Sequence, residues 1–153
     1  DPVSRREFWD LLTGLRVERN LTIMVSTPYM DEAERCHRVG LIYKGQLIAT
    51  GTPAEIKQRV PGQLLELRPA DWQRAKGLLQ GAEGVLEVQI YGERLHIFVD
   101  DAGRRGPQLL GALIQAGIPC PPPRPIAPRL EEAFISLIRR QQRQNHNVQG
   151  GEL

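Results

Sequence analysis

The densest group of potential chemistry in this 153-residue chain is acidic: Asp31, Glu32 and Glu34 fall within four positions of one another. Three carboxylates so close could hold a divalent cation or share a proton. They also follow Pro28 at the start of a helical pattern, where acids are favoured by the positive end of the helix dipole, and that plainer reading is preferred. His37, His96 and His146 are scattered, with no nucleophile or carboxylate partner that the sequence can identify, so none is read as a site. Cys36 and Cys120 form no C-x-x-C or His-spaced cluster, which removes support for a metal site or a disulfide framework and fits a reducing, cytosolic compartment. Twenty Lys+Arg against eighteen Asp+Glu leave a net charge of +2, too little for a protein that tracks a phosphate backbone, so no nucleic-acid partner is expected. Tyr91 and Phe98 fall on the polar phase of a strand pattern and are expected on an open face, as a protein contact. Arg104-Arg105 and Arg139-Arg140 read as solvated helix ends.

These residues need elements to position them. Ser4-Arg5-Arg6-Glu7 has the spacing of a capping box and predicts a helix through Phe8, Leu11, Leu12 and Leu15, ended by Asn20 in the left-handed conformation. Leu21 to Thr27 is an apolar, β-branched run that predicts a strand buried on both faces of a parallel sheet. Pro28 then suits the start of a helix over Met30 to His37. Lys44-Gly45 between two apolar runs predicts a hairpin, and Thr52-Pro53 a short helix to Arg59. Beyond Val60-Pro61-Gly62 the rhythm changes. Leu64–Arg68 reads as a strand, Asp71 opens a helix, Leu86–Ile90 and Leu95–Val99 form a hairpin with one wet face, and Pro107 opens another helix stopped by Gly117. Ile118 starts a proline-rich segment fit only for a sheet edge, because six prolines lie between Pro119 and Pro128. A last helix carries Leu130, Ala133, Phe134, Leu137 and Ile138, and Gln141 to Leu153 reads as a polar linker or tail. No stretch approaches the ~20 apolar residues of a membrane helix. The expected fold class is α/β (α+β), the second half having the strand-helix-strand-strand-helix-strand order of ferredoxin-like modules.

Three ordered stretches carry a family resemblance: Asp1-Pro2-Val3-Ser4-Arg5-Arg6, then Ser26-Thr27-Pro28-Tyr29-Met30-Asp31-Glu32-Ala33-Glu34, then Gly45-Gln46-Leu47-Ile48-Ala49-Thr50-Gly51-Thr52-Pro53. Residues 1 to about 60 closely resemble the C-terminal part of ABC transporter ATP-binding subunits of the drug-exporter or ABC-2 type. A looser likeness continues beyond, because such subunits often carry a small α/β extension ending in a helix similar to Leu130-Glu131-Glu132-Ala133-Phe134. The resemblance implies that residues 1–61 are the C-terminal end of a P-loop ATPase domain, 62–140 an accessory ferredoxin-like module with a terminal helix, and 141–153 a linker or tail.

By the same resemblance Asp1 stands at the D-loop position, at the interface of two ATPase domains. Pro28 stands where the family's switch histidine meets the γ-phosphate. Proline has no hydrogen-bonding side chain, so the site this segment completes is expected to be impaired or non-hydrolytic, as suits one half of an asymmetric pair or tandem ATPase. ATP and Mg are implied for the parent protein and neither for this stretch alone, which has no G-x-x-x-x-G-K-[ST] loop. No residue is assigned a catalytic role. The implied partners are a second ATP-binding domain and transmembrane permease subunits, and the implied location is the cytoplasmic face of the membrane. An unpartnered Leu21–Thr27 would also favour self-association. Alternatives from another class are a ligand-sensing or a dimerisation module.

Overall fold

The structure is a computed structural model that describes residues 1–149. Its first helix, α1 (Pro2–Arg19), starts earlier than the Ser4–Glu7 capping box would place it. Asp1 is the cap: its carboxylate accepts from the Val3 N–H at 3.2 Å and from the Ser4 hydroxyl at 3.1 Å, and Pro2 supplies a helical φ at a position that needs no N–H. Asn20 ends the helix at φ 50°, as expected. No residue of α1 is buried.

Leu21–Thr27 is not a strand. It runs without sheet hydrogen bonds, and Met24 is 97% exposed. An apolar run becomes a buried strand only if neighbours satisfy its backbone on both sides, and no described residue pairs with it. The following helix is also shorter than its pattern: α2 is Met30–Ala33, with Tyr29 rather than Pro28 next to its first residue, so Pro28 occupies a bend.

β1 (Val39–Tyr43) and β2 (Gln46–Gly51) pair antiparallel through Lys44 and Gly45, both at positive φ (48° and 75°), the backbone of a tight hairpin turn. α3 (Pro53–Gln58) opens with a complete capping box, Thr52 with Glu55.

The rest forms a four-stranded sheet with its helices: β3 (Gln63–Leu67), α4 (Trp72–Leu79), β4 (Val85–Tyr91), β5 (Arg94–Val99), α5 (Ala102–Gln115), β6 (Arg124–Ile126) and α6 (Leu130–Gln149). The strand order β4-β5-β3-β6, every neighbour antiparallel, is the ferredoxin-like arrangement. The fold class is thus the mixed α and β one expected from sequence. On one face Leu65, Leu67, Leu95, Ile97 and Val99 pack against Ala75 and Leu79 of α4 and Leu109 and Leu113 of α5. On the other, Leu64 and Phe98 meet Leu130 and Ala133 of α6 together with Leu41, Ala49 and Ile56.

This second layer corrects the expectation of a wet face. β5 is buried from Leu95 to Val99, including His96 and Phe98, because α6 and the β1–β2 hairpin lie over the surface that alternation had left open. α5 begins five residues before Pro107, at a cap made by Asp101, whose carboxylate accepts from the Arg104 N–H at 2.8 Å. Pro107 therefore sits inside the helix. Arg105 is buried instead of solvated, forked onto both carboxylate oxygens of Asp100 at 2.8 Å. Ile118 is buried but lies outside any strand, and the edge strand forms later, at Arg124.

Residues 141–149, expected as tail, extend α6, which runs along the first hairpin: Gln141 donates to the Gln46 side chain and Gln142 to the Tyr43 hydroxyl. Residues 150–153 of the expected tail lie outside the described residues. No described helix is long and apolar enough to cross a membrane.

Candidate functional site

Asp1 and Pro28 are both exposed and are held on one framework by Arg5. One turn along α1 from Asp1, the Arg5 side chain donates from Nε to Glu32 Oε1 at 2.9 Å and lies 3.4 Å from Asp31, while its guanidinium stacks 4.3 Å from the centroid of Tyr29. Glu32 in turn accepts a short hydrogen bond from the Thr27 hydroxyl, and Thr27 Oγ1 accepts from the Tyr29 N–H at 3.1 Å. Pro28 is bracketed on both sides by this network. The Thr27 hydroxyl, and after it Arg5, hold the Glu32 carboxyl below its ordinary value despite partial desolvation.

The acidic group of the sequence does not converge. Asp31 and Glu32 turn to Arg5, whereas Glu34 receives the Leu130 N–H at 2.7 Å and Lys57 Nζ at 2.9 Å. It thereby caps α6 from 96 residues away. Among the described residues no three His, Cys, Asp or Glu side chains are grouped to hold a metal. Burial raises the thiols of Cys36 and Cys120 above the ordinary thiol value. His37 is exposed in the turn after α2.

Sequence reasoning missed His96. Its ring lies between two buried carboxylates, Nδ1 2.9 Å from Glu132 Oε1 and Nε2 3.4 Å from Glu66 Oε2. Tyr91 stacks on it with centroids 4.9 Å apart. Glu132 Oε2 also accepts from the Arg129 N–H at 2.8 Å. Burial alone would raise the Glu66 carboxyl, but bonds from Arg68, His96 and Arg94 outweigh it and hold it at about 2. The signal was present: Glu66 interrupts the apolar run Leu64-Leu65-Glu66-Leu67, and a charge inside a strand pattern calls for a partner. The partner was hidden because His96 fell on the phase read as solvent-facing.

A depression of about 200 Å³ lies between β4 and α6, lined by Leu86, Glu87, Phe98, Ser136, Arg139 and neighbouring residues. Arg139, expected solvated, crosses it to Glu87 Oε1 at 3.0 Å. No arrangement among the described residues has the geometry of a nucleophile, base and orienting group.

Comparison with known proteins gives the class. The probable multidrug ABC transporter ATP-binding protein YbhF of Escherichia coli K12 is 54% identical over 57 residues, 37% of this chain and 10% of that protein. The daunorubicin/doxorubicin resistance ATP-binding protein DrrA of Streptomyces peucetius is 37% identical over 89 residues, 56% of this chain and 27% of that protein. The Nod factor export ATP-binding protein I of Rhizobium sp. strain N33 is 32% identical over 143 residues, 92% of this chain and 44% of that protein. No family model matches the chain. The chain is a homologue of the ATP-binding proteins of ABC transporters of the drug-exporter type. It spans between a tenth and just under half of the length of these relatives.

Proposed function

We propose that this chain is the C-terminal part of the ATP-binding subunit of an ABC exporter, in which it couples nucleotide-driven closure to transport. Residues 1–61 complete the ATPase domain, and residues from 62 onward form the accessory module. Asp1 serves as the D-loop residue and Pro28 occupies the switch position. The observation that carries this reading is Arg5, which joins the helix after Asp1 to the turn around Pro28 through Glu32, Asp31 and Tyr29. ATP and Mg belong to the parent protein. The residues of this chain do not fit them alone: Pro28 offers no donor to a γ-phosphate, both Asp1 oxygens accept hydrogen bonds within α1, and no described carboxylates are grouped for a cation. The parent's partners are a second ATP-binding domain and permease subunits, at the cytoplasmic face of the membrane.

An isolated chain of this kind should neither bind nor turn over ATP, and it should self-associate through the partly exposed Leu21–Thr27 segment, with Leu21 and Met24 outermost, and the uncovered side chains of α1, Phe8 and Leu11. A phosphate-release assay with ATP titration, followed by sedimentation velocity on the same sample, tests both. Saturable turnover overturns the first statement, and a clean monomer at high concentration overturns the second.

A further inference from the structure

Around Glu66 the sheet assembles more positive charge than it neutralises. Arg68 donates from Nε and Nη2 to Glu66 Oε1 at 3.1 and 2.9 Å, Arg124 Nη2 reaches the same oxygen at 3.3 Å, and Arg94 Nη1 lies 3.3 Å from Oε2. Strand register enforces this, because Glu66 pairs with His96 on β5 and with Arg124 on β6. A fourth guanidinium, Arg129, lies 5.6 Å over the ring of Tyr91, which stacks on His96. Three sequence-distant stretches, at Arg68, at Arg94 and from Arg124 to Arg129, thus deliver four arginines to one patch.

Glu66 is the only carboxylate ion-pair partner of Arg68, Arg94 and Arg124 among the described residues, and the Arg129 guanidinium donates to the Tyr91 hydroxyl. Glu132, the other acid of the cluster, is committed to His96 and to the Arg129 backbone N–H. Four guanidiniums against these two carboxylates leave a surplus of two positive charges before His96 is counted. The arginine side chains that touch Glu66 are 49%, 44% and 67% exposed, although Glu66 itself is 6% exposed. Each guanidinium has five N–H donors, and most of these are uncommitted. Like charges crowded around a buried anion repel one another, and a bound dianion relieves that repulsion. Planar guanidinium forks match the oxygens of a phosphate, and a phosphomonoester carries about −1.5 to −2 at pH 7, the charge the cluster lacks.

We propose that Arg68, Arg94, Arg124 and Arg129 form a binding site for a phosphomonoester dianion, built on the buried Glu66–His96 pair. The same chemistry is presented by a soluble sugar or glycerol phosphate and by the headgroup of phosphatidic acid. The test has two arms, both on the 153-residue chain in about 0.1 M salt. Arginine Nε–Hε NMR resonances are followed during titration with glycerol 3-phosphate, and co-sedimentation is measured with phosphatidylcholine vesicles with and without phosphatidic acid. Saturable binding in either arm is expected, and the arm that responds assigns the source. Arg68→Gln with Arg124→Gln should weaken it roughly tenfold, and the paired change Arg16→Gln with Arg104→Gln, remote in charge partners, should not. If the first pair unfolds the chain, Arg129→Gln, which touches neither Glu66 nor its hydrogen bonds, reads the same loss. Absence of saturation in both arms, or equal weakening by the remote pair, overturns the proposal.

Discussion

Replacing Glu132 by alanine tests whether the buried cluster holds α6 to the sheet. Glu132 is 1% exposed and makes two bonds at once, from Oε1 to His96 Nδ1 at 2.9 Å and from Oε2 to the Arg129 N–H at 2.8 Å. The variant leaves a buried imidazole nitrogen without its acceptor, which costs about 1–3 kcal/mol. It removes a helix-capping bond worth about 1 kcal/mol, and deletes buried methylene surface worth roughly 1 kcal/mol. The sum, roughly 3–5 kcal/mol, agrees with the cost of stripping one partner from a buried pair. With a urea slope of about 2 kcal/mol/M, the unfolding midpoint should fall by roughly 1.5–2.5 M. Glu131→Ala, one residue away and exposed, should shift it by less than about 0.5 kcal/mol. In a His96→Phe background Glu132→Ala should cost about 1–2 kcal/mol less, because the nitrogen it orphans is gone. A loss below about 1 kcal/mol, or strict additivity with His96→Phe, would show that the Glu132–His96 pair does not hold α6 to the sheet.

Two further outcomes follow from the same geometry. Glu66 has its carboxyl lowered from 4.5 to about 2, so its charge-dependent stabilisation is complete above the ordinary value and disappears as pH falls through the window from about 4.5 to about 2. Urea midpoints should decline across that window and decline less steeply in Glu66→Gln; an identical slope in the variant would assign acid sensitivity elsewhere. Gly84 has φ +75°, and a Cβ there would fall 1.9 Å from Arg105 Nε, so Gly84→Ala combines left-handed strain with displacement of Arg105 from Asp100. The expected cost is about 2–3 kcal/mol, or roughly 5–10 °C in Tm by thermal melting, and a shift under about 2 °C would refute the clash.

Features that depend only on neighbours along the chain were legible in the order of residues. The Lys44-Gly45 turn, the Thr52–Glu55 capping box, the Asn20 and Gly117 helix ends and the ferredoxin-like element order all follow from local backbone preference and periodicity. The motif order around Asp1, Pro28 and Gly51-Thr52-Pro53 carried the family. Tertiary structure decided what lies over what. Alternation along β5 marks two faces but cannot say that α6 will cover the second, and with it His96 passes from a surface residue to the centre of a buried charge cluster. Glu34 looked like a dipole-favoured acid and became the cap of a helix 96 residues later. Leu21–Thr27 has the composition of a buried strand and is none among the described residues, because a strand is completed by hydrogen bonds from other strands, which no run of side chains supplies for itself.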